Sequence, residues 1–129
     1  MNKKDETFLA LRPLIDTIDL KSAVSEDERF QNNTLRPVIK LQHESLISCF
    51  KTYLNQHKIN WDEKGEKEKH LIIANAYSKD KAFRNFNLGL ISGCFTSIEL
   101  DSYLQNRASL SKRIIQIIVQ RIESVFCLN

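Results

Sequence analysis

The sequence predicts an all-α protein, a single-domain bundle of about five or six helices. Only three glycines and two prolines occur in 129 residues, too few for the tight turns of a large sheet. Apolar residues recur at helical spacing, and the length suits one core. We expect residues 1–24 to form an N-terminal helix and an extended connector, and residues 25–129 to form the bundle.

The C-terminal stretch, residues 109–128, predicts a long apolar helix at the centre of that bundle. It contains no Gly or Pro, and at about 100° per residue its apolar side chains cover an arc of roughly 200°. One neighbour cannot cover so wide an arc, so two or three helices should pack against it. The apolar positions are Leu110, Ile114, Ile115, Ile117, Ile118, Val119, Ile122, Val125 and Phe126.

One charged residue, Arg121, falls inside this apolar arc. The favoured interpretation is that its stem lies along the bundle while its guanidinium reaches water. The alternatives are a buried ion pair with Glu99 or Asp101, and a ligand-binding arginine.

The N-terminal half predicts a short helix over residues 4–11, followed by an extended connector over residues 12–24. A helix should begin at Ser25, which has the spacing of a capping box with Glu28. We expect Thr34 to cap a further helix that carries Pro37 in its first turn and runs to about residue 58. Its core residues would be Leu35, Val38, Ile39, Leu46, Ile47, Phe50, Tyr53 and Leu54.

The C-terminal half contains further helix-start signals. They are Glu66 after a linker over residues 59–65, Asp80, the capping box of Thr96 and Glu99, and Asn106 or Ser109 before the last helix. The expected packing residues are Phe83, Phe86, Leu88, Leu90, Ile91, Leu100, Tyr103 and Leu104.

Charge and cysteine content indicate a cytoplasmic protein. The net charge is only +3, and basic residues are interleaved with acidic ones, which disfavours a nucleic-acid partner. Arg107, Lys112 and Arg113 are the remaining candidates for that role. The cysteines are few, widely spaced and odd in number, so we expect reduced thiols. No signal-peptide core and no run of about 20 apolar residues is present, so no membrane association is expected.

Motifs for catalysis or metal binding are absent. His43, His57 and His70 do not have the spacing of His-Glu-x-x-His, and no Gly-x-Ser-x-Gly occurs. We therefore predict no catalytic residue, no metal and no cofactor. A metal held by side chains from several helices is the less favoured alternative.

Gly89 and Gly93 lie on one side of a predicted helix, where each glycine costs about 1 kcal/mol relative to alanine. We expect them to allow close packing, for example of the last helix at Ile114 or Ile118. The alternative is a groove for a ligand or partner.

The best candidate for a functional site is a set of polar residues expected near these glycines. Structural ion pairs and helix caps are the favoured explanation for them, with a binding site as the alternative. The set comprises Arg84, Asn85, Glu99, Tyr103, Arg113 and Arg121.

Several segments of the chain are similar to a family of small helical bacterial proteins of unknown function that often carry the label glyoxalase. They include residues 34–37, residues 83–85 with Gly89 and Gly93, and residues 112–113. The resemblance covers most of the chain and implies, as an alternative function, a metal-dependent lyase acting on the methylglyoxal–glutathione hemithioacetal. It transfers no catalytic residue, because the His-x-His-x-Asp-His motif of glyoxalase II is absent.

The functional prediction is a non-enzymatic interaction or binding module that binds a partner protein or assembles as a homo-oligomer. It requires an exposed apolar strip on the last helix or around Gly89 and Gly93.

Overall fold

A computed structural model describes residues 2–13 and 25–127. Helices and the turns between them make up this part of the chain, which confirms the all-α fold. The α-helices are α1 (Lys3–Leu11), α2 (Glu26–Phe30), α3 (Arg36–Leu41), α4 (His43–Gln56), α5 (Glu66–Ser78), α6 (Lys81–Ser92), α7 (Ser97–Gln105) and α8 (Arg107–Phe126). A π-helical turn, Gln31–Leu35, joins α2 to α3, and a 3-10 turn, Trp61–Glu63, lies in the linker before α5.

The predicted N-terminal helix is confirmed as α1. It begins after Asn2, whose side-chain oxygen accepts a hydrogen bond from the backbone N–H of Asp5 at 2.8 Å. It ends at Arg12, where the backbone becomes extended before Pro13. The rest of the expected connector, residues 14–24, lies outside the described residues.

The prediction that Thr34 caps a new helix is wrong. The chain stays helical through the π-helical turn, in which the Arg36 N–H bonds the carbonyl of Gln31. Pro37 lacks an N–H and cannot donate to a carbonyl in the preceding turn. The π-helical turn lets the backbone hydrogen-bond pattern change before Pro37 without ending the helix. The Thr34 hydroxyl instead donates to Glu99 at 2.9 Å. The helix start predicted at Ser25 is confirmed, because α2 begins at Glu26 and Ser25 Oγ accepts a hydrogen bond from the Glu28 N–H at 3.1 Å.

The long helix expected over residues 34–58 is divided at Gln42, where φ is −92° and ψ is 15°. The Gln42 side-chain amide donates to the Leu90 carbonyl on α6 at 3.3 Å, so a tertiary contact occupies the break. The predicted core is largely confirmed on both sides of it. Leu35, Val38, Ile39, Leu46, Phe50 and Leu54 are buried, whereas Ile47 and Tyr53 are partly buried.

The helix starts of the second half are confirmed where side-chain capping was expected. Asp80 accepts from the Phe83 N–H at 3.1 Å. Thr96 and Glu99 form both hydrogen bonds of a capping box. Asn106 precedes α8 without a side-chain cap.

The last helix, α8, packs against α3, α4, α5, α6 and α7. It is amphipathic rather than apolar throughout, because Lys112, Gln116, Gln120 and Ser124 are exposed. No helix in residues 2–13 and 25–127 is both long enough and apolar enough to cross a bilayer. The buried positions of α8 are Leu110, Ser111, Ile114, Ile115, Ile117, Ile118 and Ile122.

An aromatic cluster closes the core at the C-terminal end of α8. Phe50 is fully buried, and its ring lies 4.9 Å from that of Phe126 and 6.1 Å from that of Tyr77, centroid to centroid. Trp61 packs edge-on against Phe50 and donates its Nε1–H to the Phe126 carbonyl at 3.4 Å. The linker between α4 and α5 is thereby attached to the end of α8.

Three residues expected to pack in the core are exposed instead. Phe86 on α6 is 62% exposed, and Leu100 and Leu104 on α7 are 38% and 53% exposed. Helix α7 has only nine residues and buries Tyr103, so its leucines lie on the side away from the core.

Candidate functional site

A groove between α6 and α7 continues to the start of α8. It consists of two cavities of about 220 and 470 Å³ that share Asn85, Leu88 and Arg107 as lining residues. We call this feature the α6–α7 groove. Gly89, Ser92, Leu100, Tyr103 and Leu104 complete the smaller cavity, and Arg84, Ala108 and Ser111 complete the larger.

Gly89 is an open position in this groove, not a point of close helix packing. A Cβ atom built on Gly89 would meet nothing within 4 Å outside its own helix. A Cβ on Gly93 would come within 2.9 Å of the Gly89 carbonyl oxygen, which belongs to the same segment. The expectation that the last helix packs closely at these glycines is therefore wrong, because neither α8 nor any other described backbone outside α6 occupies the space beside Gly89.

Leucines and the buried Tyr103 line the smaller cavity. Leu100 and Leu104 are one turn apart on α7, which places them on the same side of that helix. The Tyr103 hydroxyl lies 2.5 Å from Ser111 Oγ, and both residues are buried. Because the Tyr103 hydroxyl is paired with Ser111, Leu100 and Leu104 provide an apolar part of this wall, beside the polar Asn85, Ser92 and Arg107.

Among the described residues, Arg84 and Arg107 are the only charged side chains that line the α6–α7 groove. Neither has a carboxylate within ion-pair distance in the part of the chain that the structure describes. The groove therefore combines an apolar wall with an excess of positive charge.

The candidate polar set divides between several places. Arg84, Asn85 and Tyr103 line the α6–α7 groove together. Arg113 lies elsewhere, where its Nε donates to the Gln31 side chain at 2.8 Å and one terminal nitrogen donates to Gln116 at 3.1 Å. Glu99 and Arg121 have separate partners as well.

Glu99 links α1, the π-helical turn and α7. Its carboxylate accepts two hydrogen bonds from Arg12, at 2.6 and 2.8 Å, in addition to those from Thr34 and the Thr96 N–H. Burial would raise the pKa of Glu99, but these hydrogen bonds and the Arg12 charge lower it overall. Arg12 also donates to the Cys94 carbonyl at 3.1 Å. These contacts indicate a structural role.

A second polar contact links α1 to the N-terminal end of α7. The Asp5 carboxylate is buried and accepts from the backbone N–H of Ser97 at 3.1 Å, at the first residue of α7. A carboxylate at a helix N-terminus is favoured by the helix dipole. Sequence reasoning missed this contact because Asp5 and Ser97 are 92 residues apart.

Arg121 does not pair with Glu99 or Asp101, so that interpretation is wrong. Glu99 is occupied by Arg12, and one terminal nitrogen of Arg121 donates to His43 Nδ1 at 3.0 Å. Its Nε is buried without a hydrogen-bond partner among the described residues. Burial lowers the pKa of Arg121.

No family model, no curated protein and no solved structure matches this chain.

A separate group of side chains could hold a metal ion. One ligand atom each from Glu66, His70 and Cys127 lies within 4.8 Å of the other two. Sequence reasoning missed this group because it searched for paired histidines, whereas the third donor follows α8 at the far end of the chain. The spacing of Glu66 and His70, four residues apart on a helix, was the one local signal.

Two further grooves occur on the described surface. One, of about 410 Å³, lies between α4 and α6 and includes Cys49, Tyr53 and the exposed Phe86. The other, of about 600 Å³, lies between α5 and α8 and includes Arg113. Neither contains an exposed glycine, and neither combines two arginines with exposed leucines as the α6–α7 groove does.

Proposed function

We propose that this chain is a non-enzymatic interaction module whose α6–α7 groove binds an amphipathic helix of a partner protein, with acidic residues beside its apolar face. The observation that supports this proposal is the open surface around Gly89. An exposed glycine in the last turn of α6 lies beside the exposed Leu100 and Leu104, and two arginines line the same groove.

The exposed surface of the groove adds little to the stability of the fold, which favours a role in binding. Gly89 costs about 1 kcal/mol of helix stability relative to alanine. Two neighbouring leucines remain 38% and 53% exposed, and burying the rest of each would contribute roughly 1 kcal/mol. No contact within the described chain uses the space beside Gly89.

A helix suits the shape of this groove. Glycine on a helix surface lets another backbone approach closely. The partner's apolar side chains, at positions i, i+3 and i+4, would lie along Leu100 and Leu104, as in other helix-in-groove complexes. The occupant should therefore be a helix with one apolar stripe.

The charge of the groove determines what should flank that stripe. Arg84 and Arg107 present guanidinium groups without carboxylate partners in the described chain, and guanidinium binds carboxylate in a two-point geometry. An acidic helix satisfies both arginines. A nucleic acid fits less well, because the leucines offer it nothing and two arginines neutralise few phosphates.

A panel of synthetic helical peptides of about 18 residues tests this proposal. All share one leucine stripe and differ only in whether the flanking positions carry Glu, Gln or Lys. We expect fluorescence anisotropy at low salt to show the Glu peptide binding at least about tenfold more tightly than the Lys peptide, the equivalent of one charge-assisted contact.

Variants locate the binding. Arg107→Gln should weaken binding of the Glu peptide about tenfold. Gly89→Leu should weaken it more, because its side chain would extend into the open space beside the Gly89 Cα. Lys112→Gln is the matched control, because Lys112 is an exposed basic residue on α8 that does not line the groove. It should leave the affinity unchanged beyond a small salt-dependent effect.

Three results would overturn the proposal. The first is equal affinity for the Glu and Lys peptides. The second is preferential binding of an oligonucleotide that Arg107→Gln removes. The third is a dimer in sedimentation experiments that Gly89→Leu dissociates, because this would assign the groove to a second copy of the chain.

A further inference from the structure

Three metal-binding side chains converge where α5 begins and α8 ends. Glu66 and His70 lie one turn apart on α5, and Cys127 directly follows the last residue of α8. Their ligand atoms lie within 4.8 Å of one another. In a tetrahedral zinc site, bond lengths of about 2.0 to 2.3 Å place ligand atoms roughly 3.3 to 3.8 Å apart. The exposed Glu66 and His70 side chains can move by the remaining ångström.

The orientation of the His70 ring is already that of a metal ligand. Its Nδ1 lies 2.5 Å from the Glu123 carboxylate, which can accept the Nδ1–H. The other nitrogen, Nε2, faces Glu66 at 3.7 Å. In metal sites a carboxylate commonly holds one imidazole nitrogen in this way, so that the unprotonated nitrogen points to the ion. Glu123 is the positioning residue in this arrangement.

The surrounding charges favour a cation. Glu66 and Glu123 are negative, and Lys69, whose ammonium group lies 5.5 Å from the Trp61 ring centroid, is the positive group that acts on Cys127. A divalent ion bound by the Cys127 thiolate, together with Glu66, Glu123 and Lys69, would leave the site neutral.

We propose that Glu66, His70 and Cys127 bind Zn²⁺, with water as the fourth ligand. A thiolate and an imidazole favour zinc over magnesium or calcium, which take oxygen ligands. Three protein donors leave one coordination position open. The site lies at the opposite end of α8 from Arg107, and Ser111, the groove residue furthest along α8, is about 24 Å of helix away from Cys127. The two sites therefore share no residue.

Metal titration of the full, reduced, metal-free chain tests this proposal. In competition with a chromophoric chelator, we expect one zinc ion to bind per chain. Cobalt added in place of zinc should give the absorption of a thiolate-to-cobalt charge transfer. Cys127→Ser should remove that absorption, and His70→Gln should weaken zinc binding at least tenfold.

The chain supplies matched controls. The side chains of His57 and His70 are both 47% exposed. His57 Nε2 lies 3.7 Å from the Asp80 carboxylate, the same distance as His70 Nε2 from the Glu66 carboxylate. Cys49 is a partly buried thiol outside the proposed site. His57→Gln and Cys49→Ser should leave the zinc affinity and the cobalt absorption unchanged.

Because Cys127 is buried, its replacement could unfold the chain, so circular dichroism should accompany every variant. Glu66→Gln and His70→Gln change exposed side chains and test the site in a folded protein. The proposal fails if the wild-type chain gives no cobalt–thiolate absorption. It also fails if His57→Gln weakens zinc binding as much as His70→Gln does, because the binding would then not depend on this geometry.

Discussion

Replacing Arg12 by methionine would remove the ion pair that attaches the end of α1 to α7. Methionine keeps much of the apolar stem but removes two hydrogen bonds to Glu99 and one to the Cys94 carbonyl. The Arg12 and Glu99 side chains are only 7% and 16% exposed. Glu99 would therefore be left as a largely buried carboxylate without its cation.

The expected loss of stability is about 2 to 3 kcal/mol. Removing one partner of a fully buried ion pair costs about 3 to 5 kcal/mol. The loss should fall below that range here, because Glu99 keeps its hydrogen bonds from Thr34 and the Thr96 N–H and touches some solvent. In a domain of this size, such a loss lowers the melting temperature by roughly 10 °C.

Urea unfolding of a double-mutant cycle measures this pair. The cycle consists of wild type, Arg12→Met, Glu99→Gln and the double variant, and we expect a coupling of at least about 1 kcal/mol. Arg29→Met on the exposed side of α2 is the control, with an effect within about 0.5 kcal/mol. Additive single effects, or a loss below about 0.5 kcal/mol for Arg12→Met, would refute the reasoning.

The same pair predicts a pH dependence. Burial would raise the pKa of Glu99, but hydrogen bonds from Arg12, Thr96 and Thr34 hold it below its ordinary value of 4.5. A depressed pKa in the folded state means that the contribution of Glu99 is fully present above pH 4.5 and is lost as the pH falls through the lower folded value. The stability difference between wild type and Glu99→Gln should therefore shrink as the pH is lowered from about 6 to about 3.

Three further predictions concern unfolding free energies measured by urea titration. Gly89→Ala should stabilise the chain by about 1 kcal/mol. Gly93→Ala should destabilise it, because the alanine Cβ would come 2.9 Å from the Gly89 carbonyl oxygen. A destabilising Gly89→Ala with a stabilising Gly93→Ala would contradict the open groove. Tyr77→Phe should be neutral or stabilising by up to about 1 kcal/mol, since the Tyr77 hydroxyl is buried without a partner among the described residues, and a large loss would show that it has one. Arg121→Met should stay within about 1 kcal/mol of wild type or exceed it, because Arg121 has a buried, unsatisfied Nε and no carboxylate partner in the described chain. A loss of several kcal/mol there would reveal a bound anion or a second acceptor.

Features of the fold that depend on neighbouring residues were predictable from the sequence. The caps at Asp80 and Thr96 require only a side chain three residues before a backbone N–H. The buried faces of α4 and α8 follow from helical periodicity, because these helices are long enough for several turns to agree. Helix α7 has too few turns to show which side faces the core, and Leu100 and Leu104 were therefore assigned to the wrong side.

Features that depend on distant residues were not predictable. Thr34 has the composition of a helix cap, but its hydroxyl finds Glu99, 65 residues away, and a π-helical turn accommodates Pro37 instead. Arg12, 87 residues from Glu99, takes the partner that the sequence suggested for Arg121. Spacing along the chain carries no information about such contacts.

The candidate site shows the same division. Arg84 and Asn85 are adjacent on α6, and Tyr103 lies on α7, the next helix along the chain. Consecutive helices joined by a short loop often pack together, and these three residues line one groove. Arg113 lies two turns into α8, and it contacts Gln31 instead. Ser111 lines the groove, and Arg113, two residues later at about 100° per residue, therefore lies on the other side of α8.

The position of the single tryptophan gives this protein a built-in optical reporter. Trp61 donates to the Phe126 carbonyl and packs edge-on against Phe126 and Phe50, so its surroundings change whenever the last turn of α8 frays. Since Cys127 is the next residue, the intrinsic fluorescence of the unlabelled chain should follow ion entry or local opening at this end in real time. Peptide binding at the α6–α7 groove, which lies beside the first residue of α8, should leave the emission unchanged.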